Sequence, residues 1–319
     1  MNQSRKLTEG ALFVALYMVI MLASFVPIVA AFVLILLPVP FVIYASRHGA
    51  KSGLLVLAVA TLLTIIFFTI VSLPLTLLMG AGGLLIGHAI YKKRSAYETW
   101  AYGTLGFIGG LLFVVAFSQL VFNVNFANEI GTIATEELPS YISMIENIGI
   151  VEGNPEIDLE AMLLEQISLL LNLAPAFLAL SAVFLAFLVQ WISYKIINRI
   201  DKQKYHFSPL RTLRFPSSII WLYLIVIFIS FFDLDPSSIF YIGLQNALFI
   251  LEALLVIQGF SFIFFFAHYK KMSKALPIVS VVLTILFPMF LLYFVRILGI
   301  IDIGFNLRDR LTKKDQNVK

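Results

Sequence analysis

The chain of 319 residues is 61% hydrophobic and only 13% charged, and its mean hydropathy is +0.98. A soluble domain is about a quarter charged, so this composition excludes an aqueous globular fold and indicates an integral membrane protein. There is no cysteine, which excludes disulfides, thiolate metal sites and cysteine nucleophiles. The net charge of +4 is small, and its placement along the chain is more informative than its size.

Nine apolar stretches approach the roughly 20 residues that a helix needs to cross a bilayer. They are 8–26, 28–46, 53–71, 74–91, 100–122, 166–194, 217–232, 239–267 and 276–297. Pro38 and Pro40 predict a bend in the second stretch. The first stretch has no convincing small-residue cleavage site, which favours a retained span over a signal peptide. The sequence therefore predicts an all-α, polytopic membrane bundle of about nine helices.

The basic residues orient these spans. If the N-terminus is cytoplasmic, every Lys and Arg before Arg296 falls on the cytoplasmic side, as the positive-inside rule favours. The segment 124–165, with nine carboxylates and no basic residue, then lies outside. Nine crossings place the basic C-terminal tail outside, against the charge rule, whereas eight or ten return it to the cytoplasm. We expect a plasma-membrane protein in contact with lipid, and the side of its tail stays open.

The acidic outer segment has a helical pattern of its own. Leu138, Ile142, Ile145 and Ile148 recur at the spacing of an amphipathic helix. The run 154–156, Asn-Pro-Glu, predicts the start of a second helix that continues into the sixth span. Two interpretations stay open, a lid over an outward-facing pocket and a solvated acidic loop.

Glycines are concentrated in the fourth and fifth spans. Gly83 with Gly87, and Gly106 with Gly110, form Gly-x-x-x-Gly motifs, which let helices approach closely. A short loop joins the two spans, so packing within the chain is favoured over dimerisation.

A second small-residue face lies on the first span, where Ala11 and Ala15 are four residues apart and share one side of a helix. Such a face either packs internally or receives a partner helix. It follows Arg5-Lys6-Leu7-Thr8 and precedes Pro38-Val39-Pro40 and the segment 46–53, Ser-Arg-His-Gly-Ala-Lys-Ser-Gly. With these motifs the first 200 residues resemble the substrate-binding S components of energy-coupling-factor (ECF) vitamin and metal importers. The whole chain resembles the YybS-like family of predicted bacterial membrane proteins.

The S-component resemblance implies a six-span bundle with both ends in the cytoplasm. It also implies an energy-coupling membrane subunit that docks on Ala11 and Ala15, and a ligand held in the outer half of the bundle. The predicted organisation is a six-span bundle at 1–200, a basic cytoplasmic linker at 201–216, and three further spans with a basic tail at 217–319.

Polar residues inside predicted spans are candidate functional groups. Glu252 lies near the middle of the eighth span, and with Gln245 and Gln258 we expect it to face a polar interior. It either binds a cation or a proton, or serves as a hydrogen-bonded residue at a helix contact. Arg296 is a possible partner, although the residue count places it nearer the outer edge.

A solute site is predicted by analogy in the outward halves of spans five and six. Its candidate residues are Gln119, Asn123, Gln166 and Asn172. Hydrogen bonds between helices are the alternative role for each of them.

The sequence gives little support for a metal site, a nucleic-acid site or an enzyme active site. The four histidines, His48, His88, His206 and His268, have no ligand-pair spacing, so no metal or other cofactor is predicted. The basic segment 195–214 indicates lipid head groups rather than nucleic acid. Catalytic and nucleotide-binding motifs are absent from the sequence, which argues against an enzyme. The favoured function is binding and uptake of a small solute with a separate energising partner, and the rival is a non-transporting scaffold or assembly factor in a membrane complex.

Overall fold

The protein is an all-α membrane protein organised in two compact units, Met1–Phe207 and Ser208–Lys319. The structure, a computed structural model, describes residues 3–147, 158–236 and 238–316. Within these residues seven helical segments are long and apolar enough to cross a membrane. They overlap predicted spans one to six and eight, and the sixth begins later than predicted. The polytopic helical bundle expected from the sequence is therefore confirmed.

The first unit holds the six-span part of the chain. Its helices are α1 (Gln3–Ala23), α2 (Pro27–Leu36), α3 (Val39–His48), α4 (Ala50–Phe68), α5 (Leu73–Tyr91), α6 (Ala96–Phe122), α7 (Phe126–Asn147), α8 (Leu159–Asn172) and α9 (Ala174–Ile200). Helices α2 and α3 together form the second span, and the break between them at Leu37 and Pro38 is the predicted bend. The core is centred on α3, where every residue from Val39 to Ala45 is buried.

The glycines of α5 and α6 pack inside this unit. A methyl group on Gly83 or Gly87 would meet the backbone of α3, at the carbonyl oxygens of Pro38 and Val42. One on Gly106 would lie 2.7 Å from the carbonyl oxygen of Ala81 on α5. The prediction that the Gly-x-x-x-Gly motifs serve intramolecular packing is confirmed.

The acidic segment 124–165 contains α7 and the start of α8, two helices that pack on each other. Helix α7 is amphipathic as predicted, with Leu138 buried and Ile142 and Ile145 half-buried, and it packs on α8. Ile148 and the predicted helix start at 154–156 lie outside the described residues. Helix α8 begins at Leu159, where the Asp158 carboxylate accepts a hydrogen bond from the Ala161 N–H.

The predicted start of the sixth span at residue 166 is wrong. Helix α8 ends at Asn172 and α9 begins at Ala174, with Pro175 in its first turn. Proline has no N–H to continue the hydrogen bonds of the preceding helix, so the chain breaks there. Residues 159–172 therefore form the separate helix α8, which packs on α7.

The second unit contains α10 (Ser218–Ser230), α11 (Ile239–Tyr269), α12 (Ala275–Leu286), α13 (Pro288–Gly304) and α14 (Leu307–Gln316). Helix α11 is its centre, and Tyr223, Leu251, Leu255 and Ile303 form its small apolar core. The predicted seventh span, 217–232, is the short helix α10.

The predicted ninth span, 276–297, is wrong as a single helix. The chain breaks at Phe287, and Pro288 starts a new helix. Glu252 pairs with Arg296 and Gln258 with Asp302, so α13 runs parallel to α11. Helix α12, which joins the end of α11 to the start of α13, therefore runs in the opposite direction.

This reversal brings the tail helix to the basic segment at residues 208–216. Asp309 of α14 accepts hydrogen bonds of 3.0 and 2.8 Å from the Arg214 guanidinium in the basic linker. The Tyr269 hydroxyl, at the end of α11, donates to the Leu311 carbonyl at 2.9 Å. The tail helix thus lies on the same side as the linker segment at residues 208–216.

Candidate functional site

The candidate site of the second unit is an ion pair between Glu252 of α11 and Arg296 of α13. Glu252 is the fourteenth of 31 residues in α11, which places it close to the middle of the helix. The Glu252 side chain is 32% exposed and the Arg296 side chain 19%, so both are partly buried. The Arg296 guanidinium also stacks on the Tyr293 ring, 5.1 Å from its centroid. Arg296 is thus the partner of Glu252, at mid-helix and not at the outer edge.

The ion pair lies in the wall of a cavity of about 560 Å³. This volume lies in the range of small-molecule sites, roughly 300–1,000 Å³. The rest of the lining is predominantly apolar, and its larger members are Phe249, Val256, Ile257, Pro288, Met289 and Leu292. The cavity is open to the surface, since Met289 is 90% and Leu292 40% exposed. An open apolar cavity with two opposite charges at one place suits a molecule that has a polar head and an apolar body.

Close helix packing fixes the position of this pair. Gly259 of α11 faces the Val295 backbone, and Gly299 of α13 faces the Leu255 backbone. Because neither glycine has a side chain, the two helices approach to backbone contact. Glu252 and Arg296 each lie within two helical turns of this crossing, which holds the carboxylate against the guanidinium.

A second buried network lies at the end of α13. Asp302 is fully buried and accepts hydrogen bonds from Arg308 and from the Gln258 amide, the latter at 2.5 Å. The Gln258 amide oxygen accepts from the Phe215 N–H at 3.0 Å. Gln258 thus faces Asp302 and not Glu252, contrary to the expectation that both line one polar interior. Gln245, seven residues before Glu252, is half-buried on α11.

The four residues of the predicted outer solute site do not line the cavities described here. Gln119 is exposed on α6, and Asn123 caps the end of α6 in the left-handed conformation. Gln166 is exposed on α8, and Asn172 is half-buried in its last turn. A cavity of about 530 Å³ between α7 and α8 is lined by other residues of those helices.

The small-residue face of α1 points away from the rest of its unit. Ala11 and Ala15 are both exposed, whereas Gly10, Phe13 and Tyr17 on the other side of the helix are buried.

A charged cluster that sequence reasoning missed joins three helix ends of the first unit. Arg47 of α3 donates to Asp201, just after α9, at 2.6 and 3.2 Å. Glu9 of α1 lies 3.8 Å from Arg47 and 2.8 Å from the Nε2 atom of the buried His48. These groups line a cavity of about 540 Å³ together with Arg5.

One signal for this cluster was present in the sequence. Glu9 is the first carboxylate of the chain and the only one before Glu98, and Asp201 is the only carboxylate in the basic segment 195–214. A lone acid within basic surroundings indicates a specific partner. Among the described residues no group of three or more potential metal ligands occurs.

The fold and these sites define an integral, polytopic membrane protein. Comparison with known proteins specifies it further, because residues 14–303 match the family model described as "Predicted membrane protein (DUF2232)". The chain is 30% identical to the "Uncharacterized protein YybS" of Bacillus subtilis (strain 168) over 314 residues, which cover 98% of this chain and all of that protein. The protein therefore belongs to this family of membrane proteins, and the predicted YybS-like membership is confirmed. No solved structure matches the chain.

Proposed function

We propose that this protein binds a small solute within the bacterial plasma membrane and serves as the binding component of an uptake system. The observation that carries the proposal is the cavity of about 560 Å³ with the Glu252–Arg296 ion pair in its otherwise apolar wall. Charged residues in the middle of a membrane segment are costly and mark solute or ion pathways. A purely structural ion pair at the contact of two helices would instead fit the scaffold.

The test is whether a small molecule occupies this cavity. The protein is purified in a non-ionic detergent, and native mass spectrometry looks for a copurifying small molecule. Glu252→Gln and Arg296→Gln should change its occupancy, whereas Asp309→Asn, which removes a carboxylate from an exposed ion pair, should not. An empty cavity in wild-type protein that keeps a stoichiometric protein partner would instead favour the scaffold.

The energy for uptake comes, in this proposal, from a separate membrane subunit that docks on Ala11 and Ala15, as in the ECF importers that the first unit resembles. The exposure of both alanines supports this role, because an internal packing face would be covered by the chain itself. The N-terminus then lies in the cytoplasm, where a coupling subunit has access to nucleotide.

Larger side chains at Ala11 and Ala15 test whether a partner subunit docks on this face. Ala11→Leu combined with Ala15→Leu should leave folding intact and remove the copurifying membrane subunit. Ala116→Leu adds the same bulk at an exposed position of α6 and serves as the control. A double variant that keeps its partner would refute the docking face and leave the solute cavity untouched.

A further inference from the structure

Two arginines of the second unit differ in how their hydrogen-bond donors are used. Arg308 directs its Nε atom to both Asp302 oxygens, at 3.1 and 2.9 Å. Its Nη1 atom donates to the carbonyls of Arg211 and Leu213, and its Nη2 atom to the Ser261 hydroxyl at 3.0 Å. A guanidinium has five N–H donors, and here protein acceptors surround all three nitrogens. Arg308 is therefore a structural residue.

Arg296 has a different environment. Among the residues that the structure describes, its only ion-pair partner is Glu252; its guanidinium also lies over the Tyr293 ring, and Tyr223 is close enough to interact with it electrostatically. One carboxylate offers acceptors for two of the five donors of a guanidinium. Arg296 itself lines the cavity, whose larger lining residues are apolar. A partly buried cation with unused donors favours an additional anionic acceptor.

We propose that the solute is an amphipathic organic anion, with a carboxylate-like head on Arg296 and an apolar body in the cavity. This inference rests on the proposed function, since it names the class of the solute that the cavity would hold. The head binds the guanidinium donors that Glu252 leaves open, and it competes with Glu252 for this cation. The apolar body lies against Phe249, Val256, Met289 and Leu292, which line the cavity beside the ion pair.

Because Glu252 and the anionic head compete for Arg296, removal of the Glu252 charge should change the affinity for the anion in a known direction. Glu252→Gln removes the competing charge at constant size, so an anion should bind more tightly to this variant, by about tenfold. A cation site at Glu252 demands the opposite result, because the same change would remove its ligand. Arg296→Gln should abolish anion binding, and Arg296→Lys, which keeps the charge but loses the planar fork, should weaken it.

The probes are octanoate, octanamide and octylammonium, which share one apolar body and differ in the head group. The full-length protein is placed in nanodiscs of neutral phosphatidylcholine, and each probe is scored by the rise in unfolding temperature, since a ligand of the folded state stabilises it. We expect octanoate alone to raise the unfolding temperature of the wild-type protein. The rise should be larger in Glu252→Gln, absent in Arg296→Gln and unchanged in Asp309→Asn.

In a second experiment the nanodiscs contain phosphatidylglycerol and no octanoate is added. If phosphatidylglycerol raises the unfolding temperature only when Arg296 is present, the site binds an amphipathic anion as proposed, and that anion is a lipid.

The two proposals fail in different ways. Protection by octylammonium or octanamide that survives Arg296→Gln overturns the anionic class and leaves a solute cavity standing. If no probe protects the protein and no small molecule copurifies with it, the solute-binding function itself is refuted.

Discussion

The crossing of α11 and α13 can be tested by adding a single methyl group to Gly259. A Cβ atom at this position would approach the Val295 carbonyl oxygen far more closely than the 3.0 Å that real Cβ atoms keep, and its distance to the carbonyl carbon would be 2.8 Å. The obstacle is backbone, which cannot rotate away as a side chain can. Gly259→Ala must therefore push the two helices apart, by roughly 1 Å.

The expected cost follows from two opposing effects. Overpacking of this kind costs about 1–3 kcal/mol, and a clash with backbone belongs at the upper end of that range. Alanine has a higher helix propensity than glycine, and this difference stabilises the folded state by about 1 kcal/mol. We therefore expect Gly259→Ala to lower the free energy of unfolding by about 2 kcal/mol.

Gly243 is the matched control on the same helix. A methyl group there meets no atom within 4 Å, so Gly243→Ala should be neutral or stabilising by up to about 1 kcal/mol. The free energy of unfolding is measured by denaturant titration in detergent micelles. Trp221 of α10 reports on the second unit once Trp100 and Trp191 have been replaced by phenylalanine. Equal stability of the two alanine variants would refute the close crossing of α11 and α13.

Three further predictions concern the charged clusters and the topology. Asp302→Asn leaves the buried Arg308 without its counter-ion and should cost about 3 kcal/mol in the same titration, whereas Asp309→Asn at the exposed ion pair should cost less than about 1 kcal/mol. Equal costs would contradict the buried network. Arg47→Gln and Asp201→Asn should show a coupling energy of about 1 kcal/mol in a double-mutant cycle that measures unfolding of the first unit, because both side chains are only about one-quarter exposed. If the effects of the two substitutions simply add, the two residues do not form a pair. Reporters fused to the two chain ends should both report the cytoplasm, and opposite sides would contradict the reversal at Phe287.

The sequence predicted the features that depend on local composition. Spans one to five, the amphipathic helix α7 and the bend at Pro38 follow from runs of apolar side chains, helical periodicity and a missing N–H. Glu252 was singled out for a similar reason, because a carboxylate in the middle of an apolar run is conspicuous without any knowledge of the fold.

The partners of these residues depended on features that lie far apart in the chain. Arg296 was expected near the outer edge because 276–297 was counted as one helix, and the reversal at Phe287 moved it to mid-helix beside Glu252. Gln258 was grouped with Glu252 by spacing, but α13 brings Asp302 to it instead.

The hydrophobicity of a segment depends only on its own composition. The sequence by itself therefore determined that this chain is a helical membrane protein and where most of its spans lie. An ion pair is a property of two segments whose crossing depends on backbone approach, as at Gly259 and Gly299. Only the tertiary structure therefore decided that Glu252 meets Arg296 in the wall of a cavity, that Arg47 meets Asp201, and that the basic tail lies beside the linker.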